Sequence, residues 1–521
     1  MKKVFLSLLV LAIGLSAMAQ QRIQLRSADR AECVKSDMTS LTASFSFSTI
    51  EAEDYASERG TFSWLSMPNT VIGGNEGEPQ IPVVNQLIAV PFGAHPRVEI
   101  TSYSTTDYRL DDYGIHTLVP RQPSLRKDQK PEDVPFVYNA SAYQTRGLRS
   151  EPQAVVSVNG MMRGVQLGTM TIEPVSYDPV SNTLRVFNDI EVTVTFDDAD
   201  VQATEDLLVK TYSPHFDVVY NQLFNNGLVK SAYTDHPDLY NTPVKMLVIC
   251  YSGFQGNSAL NSWLEWKLQK GYYVDIYYTG TGTNQAGSTA TAIASFIKTK
   301  YNASVAAGNA YTYLVVIGDT GQVPQYMSKT IDSDIGACAS DLGYASVNFS
   351  SSTSNYFPDM YYSRISVENT THLTNYINKV LTYEKFEMTD GGDYLNNVIL
   401  VGGWDSSWTS RVAKPTINYG TAYYFKSSNT TYGGFGSGNI EATVSTSSTA
   451  GYAGTALGTG TTMGTGVYTS INSGVGFLNY TAHGDRQEWY QPKMTAAQVA
   501  NLSNSGKYFV GVGNCCLTGN F

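Results

Sequence analysis

The stretches that decide the fold are Val475-Gly-Phe-Leu-Asn-Tyr-Thr-Ala-His-Gly484 and Tyr508-Phe-Val-Gly-Val-Gly-Asn-Cys-Cys516. Each begins with a short apolar run, which is typical of a buried strand in a parallel sheet. Neighbouring parallel strands end at the same edge of a sheet, where open α/β sheets place their chemistry. We therefore expect a cysteine and His483 to meet there, the cysteine as nucleophile and the histidine as its base.

Composition limits the class of protein. A chain of 521 residues predicts several domains. A net charge of −11 argues against a nucleic-acid partner. The five cysteines are scattered and do not form the pattern of a disulfide framework, although one bridge remains open. Few cysteines, two of them adjacent, suggest that a thiol is kept for its reactivity.

The first 19 residues have the pattern of a secretory signal peptide. Two lysines precede the apolar run 4–15, and the small-residue cleavage site is Ala17-Met-Ala19. Cleavage after Ala19 would give a mature start at Gln20. The apolar run is too short to span a bilayer, which argues against a membrane anchor. The product is expected to be secreted or located at the outer cell surface, with no transmembrane segment.

The pattern of elements changes along the chain. Residues 20–230 alternate as half-buried strands do, with turns expected at Asn182 and at Asn188-Asp189. From residue 244 strands and helices alternate, which predicts a parallel sheet covered on both faces. The predicted strands are 244–250, 272–278, 311–317 and 398–401, and the predicted helices are 258–270, capped by Ser258, 290–301 and 372–386.

Two further expectations concern the last part of the chain. Residues 427–467 are rich in Gly, Ser and Thr, which predicts a long surface loop before the His-bearing strand. The sequence ends at Phe521, shortly after Cys516. A sheet that ended there would keep an unpaired edge, so we expect the chain to be truncated at its C-terminus.

Several strings resemble the gingipains, a family of secreted cysteine peptidases. Besides the two stretches above, they are Tyr233-Thr-Asp-His-Pro-Asp-Leu-Tyr-Asn-Thr-Pro-Val244, Gly318-Asp-Thr320 and Tyr356-Phe-Pro-Asp-Met-Tyr361. The resemblance runs from about residue 233 to 521 and is closer to the lysine-specific members. It implies an α/β caspase-like catalytic domain with a parallel sheet, made as a zymogen behind a β-rich prodomain that inhibits it. We divide the chain into a prodomain, 20–230, a catalytic subdomain A, 231–386, and an incomplete subdomain B, 387–521.

The resemblance assigns the catalytic roles. Spacing alone does not choose between Cys515 and Cys516; the resemblance makes Cys516 the nucleophile, with His483 as general base and then general acid. The backbone N–H groups of Gly484 and Cys516 are the expected oxyanion donors. Asp405, in Trp404-Asp-Ser-Ser-Trp408, is the expected acid that orients the imidazole, and its alternative role is a helix N-cap.

Substrate and metal residues also follow from the resemblance. Thr481, Asn514 and Trp408 are expected to bind substrate, with polar atoms for a lysine ammonium group, although Thr481 and Asn514 could instead satisfy local backbone groups. The acidic residue expected deep in that pocket would lie beyond Phe521. Ca²⁺ is the expected metal, no organic cofactor is expected, and no Cys/His spacing suits zinc. The expected calcium ligands, which could instead be surface groups in turns, are Asp319, Asn355, Phe357 and Asp359.

The leading interpretation is an exported cysteine endopeptidase that acts on protein and peptide substrates, cuts after lysine and uses its own prodomain as inhibitor. The alternatives are a sortase-like transpeptidase of the outer surface and a non-catalytic surface adhesin on the same fold. The polar, glycine-containing segment Asn225-Asn-Gly-Leu-Val-Lys230 is predicted to be an exposed junction. Self-cleavage after Lys230 would give a mature N-terminus at Ser231.

Overall fold

The computed structural model describes residues 21–125, 129, 133–233, 236, 242–326, 339–348, 357–403, 412–425, 428, 434–436, 440–444, 455–456, 466–490 and 493–519. The predicted signal peptide, Asn355, Asp405 and Trp408 lie outside these residues. Residues 21–233 are called the N-terminal region below, and the described residues from 242 onward the C-terminal region. Within the described residues no helix is long and apolar enough to cross a membrane.

The N-terminal region is rich in strands, as its alternating pattern predicted, and these strands pair antiparallel. They form three sheets, of order β1-β4-β5, β6-β7-β10-β9 and β11-β12-β3-β2, with β8 also paired to β12. The strands are β1 Gln21–Gln24, β2 Arg30–Ser36, β3 Ser40–Ser46, β4 Thr49–Ser57, β5 Gly60–Ser66, β6 Val71–Gly73, β7 Ile81–Val90, β8 His95–Arg109, β9 Gln153–Met162, β10 Val165–Glu173, β11 Val175–Asp178 and β12 Thr183–Asp197.

One of the two predicted turns is wrong. Asn182 does lie between β11 and β12, with a positive φ of 47°. Asn188 and Asp189 instead form a bulge inside β12, where the register against β8 shifts. The Asn188 side-chain amide replaces a ladder partner there, because it accepts a hydrogen bond from the Phe47 N–H at 2.8 Å and donates one to the Phe47 carbonyl at 2.9 Å. A bulge and a turn favour the same residue types, so composition alone did not separate them.

Helices join the two regions: α1 Val201–Thr211, α2 Asp217–Tyr220 and α3 Asn226–Ser231. The predicted exposed junction is therefore wrong in part. Lys230 is exposed, but it lies within α3, whose Leu228 and Val229 are buried in the core of the N-terminal region. These two apolar residues hold the segment as a helix, and a protease would have to unwind it before cutting after Lys230.

The first half of the C-terminal region contains a four-stranded parallel sheet, called sheet A, of order β14-β13-β15-β16. Odd-numbered residues of β13, such as Leu247, pack on one face, and even-numbered residues, such as Val248, pack on the other. The predicted parallel sheet with two covered faces is thus confirmed. The elements are β13 Lys245–Cys250, α4 Ser258–Gln269, β14 Tyr273–Tyr278, α5 Ala290–Ala306, β15 Tyr313–Ile317, α6 Leu342–Ala345, β16 Tyr361–Ile365 and α7 Thr370–Glu384.

The predicted cap of α4 is wrong by one residue. Asn257, not Ser258, is the N-cap, and its side-chain oxygen accepts a hydrogen bond from the Leu260 N–H at 3.0 Å. Both residue types are favoured at N-caps, and the pattern of the sequence did not choose between neighbours.

The second half of the C-terminal region contains a five-stranded sheet, called sheet B, of order β19-β18-β17-β20-β23. All of its pairings are parallel except that of β18 with β19. The elements are β17 Val398–Gly402, α8 Lys414–Gly420, β18 Ile440–Val444, β19 Thr455–Ala456, α9 Val467–Ser473, β20 Phe477–Thr481, β21 Glu488–Tyr490, β22 Lys493–Thr495, α10 Ala496–Val499 and β23 Val510–Asn514. The five residues of β23, at one end of this order, are exposed.

The predicted surface loop at 427–467 is wrong in part, because β18 within it pairs along the whole of β17. Ile440, at the start of β18, is 1% exposed and packs with Val398, Leu400 and Ile417. A five-residue strand surrounded by Gly, Ser and Thr gave too short an apolar signal to recognise.

Candidate active site

The two stretches that carry His483 and Cys516 follow neighbouring strands. Strand β20 pairs in parallel with β23, and Thr481 and Asn514 are register partners at the ends of the two strands. His483 lies two residues beyond Thr481, and Cys516 lies two residues beyond Asn514. The imidazole-bearing and thiol-bearing turns therefore share the carboxyl edge of sheet B, as the sequence predicted.

The two turns are in direct contact at Gly484. A Cβ atom placed on Gly484 would lie 3.0 Å from the Cys515 Sγ and 3.0 Å from the Cys516 carbonyl oxygen. Such distances are shorter than ordinary van der Waals contacts, so a side chain at this position would push the turns apart. A glycine after the histidine is what lets the two turns approach this closely.

Aromatic residues fix the backbone of the histidine turn. The His483 carbonyl accepts hydrogen bonds from the Tyr480 hydroxyl at 2.9 Å and from the Tyr490 N–H at 3.1 Å. Trp489 stacks on Tyr480, with ring centroids 4.1 Å apart and planes inclined by 7°. These three aromatic residues were missed by sequence reasoning. The available signal was the run Glu488-Trp-Tyr490, which follows His-Gly closely and pairs as a hairpin strand.

The two adjacent cysteines have different surroundings. Cys515 is half-buried, packs against the apolar cluster of sheet B and has its Sγ 3.3 Å from the Thr518 hydroxyl. Cys516 is exposed. Leu517 follows with a φ of 59°, in the left-handed region that bulky residues rarely adopt, so the chain turns sharply after Cys516. Of the two thiols, Cys516 is the more accessible to a substrate.

The predicted oxyanion donors lie in the same two turns. Gly484 and Trp489 are paired in an isolated antiparallel β-bridge. The hydrogen bonds of this bridge are donated by the N–H groups of the next residues, Asp485 and Tyr490. Within the described part of the chain, neither the Gly484 N–H nor the Cys516 N–H donates a hydrogen bond. Their role as oxyanion donors stays a prediction.

The predicted substrate residues are partly described. Thr481 is buried, and its hydroxyl accepts a hydrogen bond from the Asn479 side-chain amide at 3.0 Å. Asn514, its register partner, is exposed. The Thr481 carbonyl accepts a hydrogen bond from the Gly403 N–H at 2.8 Å, so the chain leaves β17 at this same edge just before the undescribed Asp405.

A cavity of about 500 Å³ borders the cysteine turn. Gly513 and Thr518, which flank the cysteine pair, contribute to its wall. Most of the remaining lining is apolar, while Asp485 and Glu488 add carboxylates, Arg486 a guanidinium group and Gln487 an amide. Glu488 is paired with Lys493 at 3.1 Å.

The structure separates the two carboxylates of the predicted calcium site. Asp319 follows β15 at the carboxyl edge of sheet A, whereas Asp359 precedes the parallel neighbour β16 at the amino edge. At about 3.3 Å per residue along a strand, they lie roughly 25 Å apart. One ion cannot bind both, so the predicted ligand set is wrong as a single site. The described residues contain no group of three His, Cys, Asp or Glu that could hold a metal.

Asp359 contacts the N-terminal region instead. Its carboxylate accepts hydrogen bonds from the Arg163 N–H at 2.8 Å and the Val347 N–H at 2.9 Å. The side chain is buried, and burial raises the pKa of Asp359 to about 6, although the two N–H groups act in the opposite direction. Phe357 is half-buried against the core of the same region. Asp319 is half-buried and accepts a hydrogen bond from the Ser366 hydroxyl at 2.7 Å.

A mainly parallel α/β sheet that brings a histidine turn and a cysteine turn together at its carboxyl edge is an arrangement on which cysteine acyl-transfer chemistry can be built. Comparison with known families agrees. The model of the C25 propeptide matches residues 20–218, and the model of peptidase family C25 matches residues 239–521. The chain belongs to peptidase family C25, which confirms the gingipain resemblance.

Three similar proteins illustrate the range of identity and coverage. The chain is 40% identical over 523 residues to Lys-gingipain W83 of Porphyromonas gingivalis, an alignment that covers 100% of this chain and 28% of that protein. It is 21% identical over 480 residues to Gingipain R2 of the same species, covering 92% of this chain and 58% of that protein. A solved structure that concerns the zymogenic latency of gingipain K from P. gingivalis covers 34% of this chain, at 41% identity and a TM-score of 0.33.

Proposed function

We propose that this protein is a cysteine endopeptidase made as a zymogen, with Cys516 as nucleophile and His483 as general base. The observation that carries the proposal is the contact of the His-Gly turn with the cysteine turn at Gly484, in a chain of peptidase family C25. This chain spans only 28% of the length of Lys-gingipain W83. The activity of such a long relative is therefore a proposal for this chain.

The reaction follows from the roles of the two turns. His483 removes the Cys516 proton, and the thiolate attacks the scissile carbonyl carbon to form a C–S bond. The N–H groups of Gly484 and Cys516 stabilise the resulting oxyanion. His483 then gives its proton to the leaving amine as the C–N bond breaks. Water, deprotonated by His483, releases the acyl group from the thioester, and Asp405 is proposed to orient the imidazole.

We further propose that the enzyme cuts after lysine. The support is the higher identity to a Lys-gingipain, 40%, than to Gingipain R2, 21%. Thr481, Asn514 and Trp408 are the proposed substrate residues.

A peptide experiment tests both proposals. Processed protein is incubated with matched peptides that differ only in carrying lysine, arginine or norleucine at one position, and products are identified by mass spectrometry. We expect hydrolysis after lysine, and none by His483→Ala. Cleavage after norleucine at an equal rate would contradict the role of charge, and transfer to an added amine in preference to water would identify a transpeptidase.

Export and maturation complete the proposal. The signal-peptide pattern of residues 1–19 supports export. The match to the C25 propeptide supports inhibition by the N-terminal region. Lys230 lies between the two family matches, which end at 218 and begin at 239. We propose cleavage after Lys230 once α3 unwinds. N-terminal sequencing of the active protein and of Cys516→Ala tests this; identical processing of purified Cys516→Ala without added protease would contradict self-cleavage.

A further inference from the structure

The tip of one hairpin of the N-terminal region carries a fully buried arginine. Arg163 lies between β9 and β10, and its side chain is 0% exposed. Arg163 and Gly164 both have positive φ, of 45° and 77°, as a tight two-residue hairpin turn requires. A Cβ on Gly164 would lie 2.5 Å from the Thr211 hydroxyl oxygen, so this tip is pressed against the end of α1.

All five N–H donors of the Arg163 guanidinium are used, and four of them point to the C-terminal region. Nε donates to the Thr211 carbonyl at 2.8 Å, within the N-terminal region. The other acceptors share one place, the segments just before β15 and β16. They are the Tyr311 carbonyl, the Asp359 carbonyl at 3.0 Å, the Ala310 carbonyl at 3.1 Å and the Thr312 hydroxyl at 3.2 Å.

Aromatic packing continues the contact. The guanidinium carbon lies 4.7 Å from the centroid of Phe216. Phe216 in turn stacks on Tyr361 of β16, with centroids 4.3 Å apart. The Arg163 backbone adds a hydrogen bond from its N–H to the Asp359 carboxylate. A cation, two rings and a set of carbonyls therefore join the two regions at one point.

This contact is at the amino edge of sheet A. The four acceptor residues precede β15 and β16, whereas Asp319 follows β15 at the opposite edge. The cysteine and histidine turns belong to sheet B. The hairpin tip therefore holds the C-terminal region through a surface that carries none of the proposed catalytic groups.

We propose that Arg163 is the principal anchor of the N-terminal region on the C-terminal region once the chain between them is cut. The group of acceptors before β15 and β16 is then a docking site whose occupant is the Arg163 hairpin of the same chain. Loss of the side chain leaves several buried carbonyls without donors, which is costly in an interface. A lysine cannot restore the fork of five donors.

The test uses the full chain carrying Cys516→Ala, so its outcome does not depend on the proposed peptidase activity. A recognition sequence for a site-specific protease is inserted between residues 237 and 241, and the chain is cut there. Dissociation of the two fragments is followed by size-exclusion chromatography over a dilution series. The variants are Arg163→Met, Arg163→Lys and, as matched control, Arg97→Ala, which removes an exposed ion pair with Asp197.

For Arg163→Met we expect dissociation constants raised about 100-fold or more, as for other buried hydrogen-bonded charges, and for Arg163→Lys a smaller rise of about 10-fold or more. Arg97→Ala should stay within about 2-fold. Circular dichroism of the uncut variants checks their folding. If Arg163→Met does not fold, Arg163→Lys decides alone. Fragments of any folded Arg163 variant that stay associated within about 2-fold of the parent would overturn the proposal.

Discussion

Compared with sheet B, which is mainly parallel, sheet A is wholly parallel and carries a buried ion pair at its carboxyl edge. There Arg364 forms an ion pair with Asp341 at 2.7 Å, and both side chains are 3% exposed. The same guanidinium donates to the Gly318 and Val323 carbonyls, at 2.8 Å and 2.7 Å. At the corresponding edge of sheet B lie the His483 turn and the exposed Cys516.

The difference shows how one architecture serves two purposes. The carboxyl edge is the usual place for chemistry in such sheets, but among the described residues of sheet A a buried ion pair lies there instead of an exposed nucleophile. Sheet A instead uses its amino edge to contact the N-terminal region. Substitutions in sheet A should therefore change stability and docking, whereas substitutions at the edge of sheet B should change rate.

The largest effect is expected at the nucleophile. Cys516→Ala should lower peptide hydrolysis by about 10⁴-fold or more, because the covalent step is lost. Cys515→Ala should keep most of the activity, since Cys515 is a packing residue in our account. Steady-state rates with a lysine peptide measure both, and an inactive Cys515→Ala beside an active Cys516→Ala would reverse the assignment.

The buried ion pair of sheet A gives the next effect. Arg364→Met leaves the Asp341 carboxylate without its partner and should destabilise the fold by about 3–5 kcal/mol. Chemical denaturation of the Cys516→Ala protein measures this. The matched control is Lys210→Met, which breaks the exposed pair with Asp206 and should cost about 0.5 kcal/mol or less. Equal losses in the two variants would contradict the structural role of the ion pair.

A smaller effect is expected from Gly484→Ala. The added Cβ would separate the two turns by a few tenths of an ångström, which we expect to lower kcat/KM by about 10- to 100-fold with little change in stability. Gly519→Ala is the control, because a Cβ there meets nothing within 4 Å. Kinetics and thermal unfolding are compared for both. Unchanged kinetics in Gly484→Ala would show that the contact is not needed for catalysis.

The smallest effect concerns calcium. Asp319 is the described carboxylate of the predicted set that lies at the carboxyl edge of sheet A, and we propose that it binds Ca²⁺ there. Chelation should lower the melting temperature of the parent protein but not of Asp319→Asn, because a ligand that binds the native state alone stabilises it. A melting temperature that chelation leaves unchanged in the parent would remove the metal from the account.

The strands that carry the site could be predicted because buried parallel strands are short, nearly continuous apolar runs. Residues 475–480 and 508–512 have this form, and the strands found, β20 and β23, lie within two residues of these limits. Their shared edge followed from the rule that parallel neighbours end together. Tyr480, Trp489 and Tyr490 were not predicted, since their contacts with the histidine turn depend on a hairpin that only the fold closes.

The failures have a common physical reason. Asp319 and Asp359 were grouped on the family resemblance. Strand β16 was not recognised, so nothing in the sequence showed that Asp359 precedes a strand whereas Asp319 follows one. Arg163 gave no local signal, because its partners in the C-terminal region lie 147 to 196 residues away along the chain. Contacts of this range depend on how the regions pack, which residue patterns do not encode directly.

The assignment of Cys516 as nucleophile and His483 as base is tested by the site at which a lysine-based chloromethyl ketone reacts. Processed protein is treated with the reagent and digested, and the modified cysteine is located by mass spectrometry, in parallel with His483→Ala. We expect a single adduct on Cys516 that forms much more slowly in His483→Ala. An adduct on Cys515, or a rate that does not depend on His483, would contradict it.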